Sequence, residues 1–322
     1  MTKPKNANYM KPICILKIHS LQKTNGNQLF NKKIQPMKKI FIFLLISTSI
    51  FAQNGTEIYL LDISKSGDIF TLSNPKNITN RIGYDNQPFF HPSKTLLYFT
   101  AMSEGQTDIW SYDYKTGKSL QITKTIDSEY SPTVTPDQKY LSCIVQRKSN
   151  GDQDLVKYNI GNPTETKIVF ESQKTGKIGY QAWLNNNELI TFVLGDPQTL
   201  HYQNFITKKD TIITSNIGRS LHLIPKQKTF SFVQQVDKKW LIRSFNPSKN
   251  TITDIAESNP DSEHYNTWTS EGVILESKNS AIFSYDLPSK QWKKVNLPTD
   301  LPQKKISRMT VKENKIAIVI DE

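Results

Sequence analysis

Residue types that usually carry catalysis or bind metals are few and scattered in this chain. Asp152 and Asp154 lie on a polar loop with Gly151, but the remaining acids and the glycine of a calcium-binding loop are missing. The sequence contains no Gly-x-Ser-x-Gly element and no glycine-rich phosphate loop. Four histidines follow residue 53, none of them at the spacing that holds zinc: His91, His201, His222 and His264. The sequence therefore predicts no enzymatic activity, no metal and no cofactor.

Cysteine and tryptophan are interpreted as core residues. Cys143 is the single cysteine after residue 53, so that part of the chain predicts no internal disulfide. Its apolar strand pattern favours a small buried hydrophobe over a reactive thiol. The tryptophans recur at strand positions, which favours packing between neighbouring sheets over stacking on a ligand. They are Trp110, Trp183, Trp240, Trp268 and Trp292.

The start of the chain has the pattern of a targeting segment. A basic Met-Lys-Lys begins at Met37, an apolar run covers residues 40–51, and Ala52 follows it. These are the parts of a secretory signal peptide, and the run is shorter than the roughly 20 residues that span a bilayer. We predict a signal peptide over residues 37–53, cleaved at its end. The mature protein is expected to be periplasmic or secreted, without stable membrane insertion.

The positive charge is concentrated in the same segment. The whole chain carries +12, but residues 1–53 hold nine lysines and no acid, which leaves 32 basic and 29 acidic residues in the remainder. A nearly neutral domain gives no electrostatic reason to expect nucleic acid as a partner. Residues 1–36 show no strand or helix period, and we interpret them as a mis-assigned upstream extension ahead of a start at Met37. The alternative is a basic cytoplasmic arm before an uncleaved anchor.

Short strands recur along the rest of the chain with a long period. A hydrophobic residue followed by a turn marks each repeat, and successive markers are separated by 44, 49, 40, 45 and 42 residues. Runs of β-branched and aromatic residues lie between them, divided by Gly, Asn, Asp, Ser, Pro and Lys. Many short strands with a long period predict a β-propeller. The markers are Phe90, Val134, Trp183, Leu223, Trp268 and Thr310.

Each repeat predicts four strands, and the last repeat is incomplete. The third strand ends in Asp or Asn, whose side chain is expected to bind a backbone amide two residues on and form the turn into the fourth strand. The sixth repeat has only a first and a second strand, at residues 306–311 and 315–320. The third and fourth patterns occur at the other end, at residues 57–62 and 68–72. We therefore predict an all-β, six-bladed β-propeller over residues 54–322. Its blades are four-stranded and antiparallel, and N-terminal strands pair with C-terminal strands in one blade to close the ring.

The best-preserved repeat resembles a known family. Residues 88–100 read Pro-Phe-Phe-His-Pro-Ser-Lys-Thr-Leu-Leu-Tyr-Phe-Thr, residues 108–113 read Asp-Ile-Trp-Ser-Tyr-Asp, and residues 120–123 read Leu-Gln-Ile-Thr. A second copy begins at residues 131–137 with Ser-Pro-Thr-Val-Thr-Pro-Asp. This pattern resembles the WD-like repeat of the TolB C-terminal propeller. The resemblance covers about residues 55–322 and implies the fold more than the function.

Two departures from related proteins limit what the resemblance implies. TolB carries an α/β domain before its propeller, whereas few residues separate the predicted signal peptide from the first strand here. The resemblance therefore does not imply a partner that docks on that domain. The repeat also resembles the propeller of prolyl oligopeptidases, but their activity needs a hydrolase domain with a nucleophile elbow, and no such element is present in this sequence.

A binding surface follows from propeller geometry. The first strand of each blade lines the central channel, and the connections from each fourth strand to the next first strand form one rim. Function on such scaffolds usually lies on these loops. Aromatic residues and arginines amid polar neighbours suit protein or peptide recognition, although they could equally only solvate the loops. Two histidines, His91 and His222, are also predicted on first strands, and the sequence allows either a channel-lining or a packing role for each. The rim candidates are Asp85, Asn86, Glu129, Tyr130, Tyr180, Gln181, Arg219, His264, Tyr265, Asn266 and Arg308.

These observations lead to two main functional hypotheses. The first is an exported, non-enzymatic binding or scaffold propeller of the bacterial envelope, expected to be a monomer, that recognises an envelope protein or a peptidoglycan-associated protein through the rim. The alternative is a metal-assisted propeller hydrolase or lyase that acts on a lactone or glycan. In that case a divalent ion in the channel would be held by Asp85, Asn86, Glu129, His264 and Asn266. A third possibility is a structural subunit without ligand binding.

Overall fold

The computed structural model describes residues 55–322, and these residues form β-strands almost throughout. They contain 24 strands and one four-residue helix, α1 (Ser172–Thr175). Within this range no helix has the length and apolar character needed to cross a bilayer. The predicted upstream extension at residues 1–36 and the predicted signal peptide at residues 37–53 lie outside the described residues.

The strands form six antiparallel, four-stranded sheets, which are the blades of the propeller. In five of them the strand order follows the chain. Blade 1 contains β3 (Asp85–Phe90), β4 (Leu96–Ser103), β5 (Gln106–Asp113) and β6 (Lys118–Gln121). Blade 2 contains β7 (Ser128–Val134), β8 (Tyr140–Gln146), β9 (Gln153–Asn159) and β10 (Asn162–Phe170). Blade 3 contains β11 (Ile178–Asn185), β12 (Glu188–Val193), β13 (Thr199–Asn204) and β14 (Lys209–Ser215). Blade 4 contains β15 (Ile217–Leu223), β16 (Phe230–Val236), β17 (Lys239–Asn246) and β18 (Thr251–Glu257). Blade 5 contains β19 (Asn266–Trp268), β20 (Ile274–Lys278), β21 (Ala281–Asp286) and β22 (Gln291–Lys294).

The sixth sheet, the closing blade, joins the two ends of the described chain. It contains β1 (Thr56–Ser66), β2 (Ile69–Asn77), β23 (Ile306–Lys312) and β24 (Lys315–Asp321). The order across the sheet is β2-β1-β24-β23, and Tyr59 lies directly opposite Ile318 in the β1–β24 pair. The predicted fold, with six four-stranded blades and closure by strands from both ends, is confirmed.

Burial along the strands explains their sequence patterns. β24 reads Ile-Ala-Ile-Val-Ile over residues 316–320, all buried, because a central strand is covered on both faces by neighbouring blades. A short unbroken apolar run is typical of such a strand. β2 lies at the outer edge and alternates instead: Phe70 and Leu72 are buried, whereas Ile69 and Thr71 are exposed. This period of two is that of a strand with one solvated face.

The core is divided into six apolar clusters, one between each pair of adjacent blades. Two tryptophans add hydrogen bonds across these layers. The Trp183 indole of blade 3 donates to the Ser142 hydroxyl of blade 2 at 3.0 Å, and Trp268 of blade 5 donates to Ser231 of blade 4 at 2.7 Å. Cys143 is fully buried in one of the layers, as predicted. The ring thus consists of six similar interfaces.

In blades 1, 2 and 3 the turn after the third strand forms as predicted. The Asp113 carboxylate accepts a hydrogen bond from the backbone amide of Lys115 at 3.0 Å. Asn159 binds the amide of Gly161 at 2.9 Å in the same way. Asn246 instead accepts a hydrogen bond from the amide of Lys249, three residues on, and Asp286 accepts one from the Ser289 hydroxyl. Such side-chain turns replace the backbone hydrogen bonds that end with the strand, and they lead the chain outward into each fourth strand.

Candidate functional site

The first strands of the six blades enclose a cavity of about 440 Å³ along the propeller axis. A second cavity of about 370 Å³ adjoins it on the rim side and is lined by Tyr84 and Tyr130. Gln87, Tyr180 and Arg219 line both cavities, so these side chains form the boundary between them. From each blade we take one polar first-strand residue that lines the larger cavity, and we call this set the channel ring: Gln87, Ser131, Gln181, Ser220, Asn266 and Arg308.

Backbone irregularities direct these side chains into the channel. The β3–β4 register shifts between Asn86 and Phe89, and the β7–β8 register shifts between Tyr130 and Thr133. The bulged residues have positive φ: 55° at Gln87 and 52° at Ser131. A β-bulge re-aims the side chains around it. Comparable shifts interrupt the first strands of blades 3 and 4 and of the closing blade.

An arginine lies between two tyrosine rings at the centre of the site. The Arg308 guanidinium carbon is 4.9 Å from the Tyr180 ring centre and 4.1 Å from the Tyr265 ring centre. Its Nη2 donates to the hydroxyls of Tyr180 and Tyr265 at 2.7 and 3.0 Å. Burial opposes ionisation of Tyr180, but Arg308 and Arg219 together hold its pKa below the usual value. We call Tyr180, Arg219, Tyr265 and Arg308 the tyrosine–arginine cluster.

The two arginines of this cluster differ from the others in residues 55–322. Arg81, Arg147 and Arg243 each form an ion pair with an acid. Arg219 and Arg308 form none within that range, and neither cavity is lined by Asp or Glu among the described residues. Tyr265 raises the pKa of Arg219 against the effect of burial. The channel therefore carries uncompensated positive charge.

Several buried polar groups of the channel ring lack a protein partner. Asn266 is 5% exposed, and neither its amide nitrogen nor its amide oxygen is hydrogen-bonded within the described chain. Gln181 uses its nitrogen to donate to the Ser131 carbonyl at 3.0 Å, but its oxygen is unpaired. An unsatisfied buried polar group costs about 1–3 kcal/mol. These groups are therefore suited to form hydrogen bonds to a polar ligand inside the cavity.

His222 also lines the larger cavity, so the structure decides between the two roles that the sequence left open for it. Its Nε2 lies 3.0 Å from the Ser220 hydroxyl, and burial lowers its pKa to about 4. The imidazole is consequently neutral near pH 7 and adds no charge to the channel. His91 has a packing role instead: it is fully buried, and its Nδ1 accepts hydrogen bonds from the amides of Ser93 and Lys94.

The structure brings part of the predicted rim together. The tyrosine–arginine cluster, Gln181 and Asn266 line the larger cavity, and Tyr130 lines the adjoining one. Five blades contribute to this group. Asn86 is 6% exposed, and its side-chain oxygen binds the amide of Gln87 at 2.7 Å, so it supports the bulge and does not line either cavity.

The two acids and the histidine of the predicted rim bind other parts of the protein. Asp85 is fully buried and pairs with Arg81, and burial raises its pKa to about 7 although Arg81 opposes the shift. Glu129 is fully buried and accepts hydrogen bonds from Thr125 and Tyr158 at 2.6 and 3.0 Å. Burial raises its pKa to about 7. His264 stacks on Trp240 with 4.7 Å between ring centres.

Four channel residues were not predicted from the sequence: Tyr84, Gln87, Ser131 and Ser220. The alignment of Pro88 with Pro132 places Gln87 and Ser131 at one repeat position, directly after the predicted rim residues Asn86 and Tyr130. Among residues 55–322, no group of three or more His, Cys, Asp or Glu side chains is placed to hold a metal ion.

These features define the class of the protein as a six-bladed β-propeller with a polar, cationic channel. No protein-family model matches the chain, and no similar sequence was found among curated proteins. Solved structures share its fold. A structure assigned as TolB from Agrobacterium tumefaciens has a TM-score of 0.61 at 10% identity over 84% of this chain and 99% of its own.

Two further structures extend the comparison. TolB from Acinetobacter baumannii has a TM-score of 0.56 at 12% identity over 83% of this chain, which spans 65% of that protein. An oligogalacturonate lyase in complex with manganese has a TM-score of 0.54 at 10% identity, covering 79% of this chain and 83% of its own. The described domain therefore has the TolB-like propeller fold. At these identities the likeness is one of fold alone.

Proposed function

We propose that this protein is an exported binding propeller of the bacterial envelope, and that it recognises a protein or a peptidoglycan-associated partner through the channel rim. The observation that carries the proposal is the convergence of Tyr130, Tyr180, Arg219, Tyr265 and Arg308 from five blades. Tyrosine and arginine are the residue types that most often dominate the binding energy of protein interfaces. The TolB-like fold and the signal-peptide pattern at residues 37–53 support export.

Exposed apolar residues on the rim support a macromolecular partner. Ile82 is 95% exposed in the loop that leads into β3, and Ile126 is 76% exposed in the loop that leads into β7. Both loops enter the first strands from the same end of the ring as Tyr84 and Tyr130. Apolar side chains around a polar and aromatic centre fit a contact that extends beyond the channel mouth.

The competing hypothesis of a metal-assisted hydrolase or lyase has less support. Of the five side chains predicted to converge on an ion, Asp85, Glu129 and His264 are held by separate protein partners. The likeness to a lyase solved with manganese extends to the fold only. Metal analysis of the purified protein separates the two hypotheses, because stoichiometric Ca²⁺, Mn²⁺ or Zn²⁺ would favour the enzyme.

Affinity capture from envelope extracts tests the binding function. We expect Arg219→Ala and Tyr265→Ala to lose most of the material that the parent protein retains. Lys249→Ala removes a charge from the exposed turn between β17 and β18 and serves as the control. Equal capture by all four proteins would contradict a role for the rim.

Export is tested separately. N-terminal sequencing of the exported protein checks cleavage after residue 52 or 53, and an intact Met1 would contradict cleavage there.

A further inference from the structure

The positive charge of the channel favours an anionic ligand. Arg219 and Arg308 are its charged groups among the described lining residues, and no carboxylate lies within either cavity wall. Burial lowers the pKa of His222, and burial raises the pKa of Tyr84, so both stay neutral near pH 7. Two positive charges in a partly dehydrated site attract an anion more strongly than they would in bulk water.

The guanidinium groups are available to such an anion. Arg308 donates to the two tyrosines through Nη2 alone, and its other nitrogens make no hydrogen bond within residues 55–322. Arg219 is exposed to the channel and has no acidic partner in that range. A guanidinium binds a carboxylate through two parallel hydrogen bonds, and such pairs are among the strongest in proteins.

The neutral groups beside the arginines suit a peptide backbone. Asn266 offers an unpaired donor and an unpaired acceptor, and Gln181 offers an unpaired acceptor, all at cavity-lining positions that are over nine-tenths buried. Each peptide group has one N–H donor and one C=O acceptor, which can pair with these unpaired side-chain groups. Phe89, Trp183 and Trp268 supply apolar wall area deeper in the cavity. A volume of about 440 Å³ lies in the range of sites that enclose part of a ligand.

We propose that the channel binds a carboxylate group of an acidic peptide segment, with Arg219 and Arg308 holding the carboxylate and with Asn266 and Gln181 binding the adjacent peptide groups. This inference rests on the proposed binding function and names the chemistry of its ligand. The carboxylate comes from an Asp or Glu side chain or from a chain terminus. Tyrosine and arginine around the opening favour a peptide over a glycan.

Selection from a random peptide library on the immobilised full-length protein tests the proposal. Enriched peptides are then synthesised with each acid as its amide, Asp→Asn, Glu→Gln or a C-terminal amide, and their affinities are measured by calorimetry. We expect the change from acid to amide to weaken binding by about tenfold or more on the parent protein and on Lys249→Gln. On Arg219→Gln the same change should have less than about a twofold effect, because the interaction partner is gone.

Arg219→Gln is the primary variant because its side chain is exposed, so an unchanged melting curve is expected to confirm its fold. Arg308→Gln is a second variant, used if it melts like the parent protein. Enriched peptides without acids, or an equal acid-to-amide loss on Arg219→Gln, would overturn the carboxylate site while leaving the proposed binding function intact. No enrichment at all would overturn both. Binding of galacturonate oligomers in place of peptides, lost in Arg219→Gln, would reassign the site to an acidic glycan.

Discussion

At the level of single residues, the two channel arginines have no acidic partner within residues 55–322, so their positive charge can interact with a ligand. Arg308 is held by two ring faces and two hydroxyls at 2.7 and 3.0 Å, and it pairs with no carboxylate of the described chain. Cation–π contacts are worth about 0.5–1 kcal/mol when exposed and about 2 kcal/mol when desolvated. A carboxylate partner would neutralise the guanidinium, whereas the tyrosines fix its position and leave it cationic. This arrangement favours a site that receives its anion from outside.

The buried Glu129 makes stability depend on pH. Its pKa is raised to about 7 in the folded protein, mainly by burial, from an ordinary value of 4.5. The folded state therefore holds the proton more tightly than the unfolded chain, and the stability that this provides is lost as pH rises from about 4.5 to about 7. We expect Glu129→Gln to gain melting temperature relative to the parent protein across that interval.

Thermal melts of both proteins between pH 4.5 and pH 8 measure this difference. Glu165→Gln, on the exposed part of β10, is the matched control and should run parallel to the parent protein at every pH. A difference between Glu129→Gln and the parent protein that stays constant across the range would show that Glu129 does not titrate there.

At the scale of elements, the first strands combine two roles. One end of each strand bends through a bulge and places polar side chains in the channel, as Gln87 and Ser131 show. The other end packs against the neighbouring blade, as Trp183 and Trp268 show through their hydrogen bonds to Ser142 and Ser231. Each first strand therefore both lines the channel and packs its blade against a neighbour, and Trp183 and Trp268 do both.

Trp183→Phe tests the contribution of these contacts between blades. The change removes the hydrogen bond to Ser142 and leaves a small cavity, so we expect the free energy of unfolding to fall by about 1–3 kcal/mol. For a domain of this size that corresponds to roughly 2–4 °C in melting temperature per kcal/mol. Trp292→Phe makes the same change on the half-exposed outer strand β22 and should cost less. An equal or larger loss in Trp292→Phe would contradict the special role of the inner tryptophans.

The elements were more predictable than the site. Repeats such as Asp113 followed by a turn are local signals, because one side chain binds an amide two residues on. Membership of the tyrosine–arginine cluster was predictable once first strands were placed around the axis. The burial of Glu129 was not predictable, because one of its partners is Tyr158, which lies far along the chain on the third strand of the blade. Gln87 was missed since a one-residue bulge changes which side chain faces the channel.

At the scale of the whole molecule, the ring is held by six interfaces of the same kind. The closing blade takes part in two of them, with blade 1 and with blade 5. Its β1–β24 pair runs from Thr56 opposite Asp321 to Asp62 opposite Lys315 without interruption. Loss of this pair would expose two strand edges and two apolar layers, which are features that promote aggregation.

Removal of residues 305–322 tests the closure. The truncated protein lacks β23 and β24, and we expect it to aggregate instead of melting in a single transition. A chain that covers residues 54–322 keeps both closing strands, serves as the control and should remain soluble. Size-exclusion chromatography and calorimetry distinguish the outcomes. A soluble truncated protein with a cooperative transition would show that the ring does not need its closing strands.

The apolar layers between the blades are separate from the channel ring. This separation affects how the sequences of related propellers can change. No residue of the channel ring belongs to the six apolar clusters, so an exchange there leaves these layers intact. Ligand preference is then able to drift faster than architecture. A fold shared at 10–12% identity is consistent with that freedom.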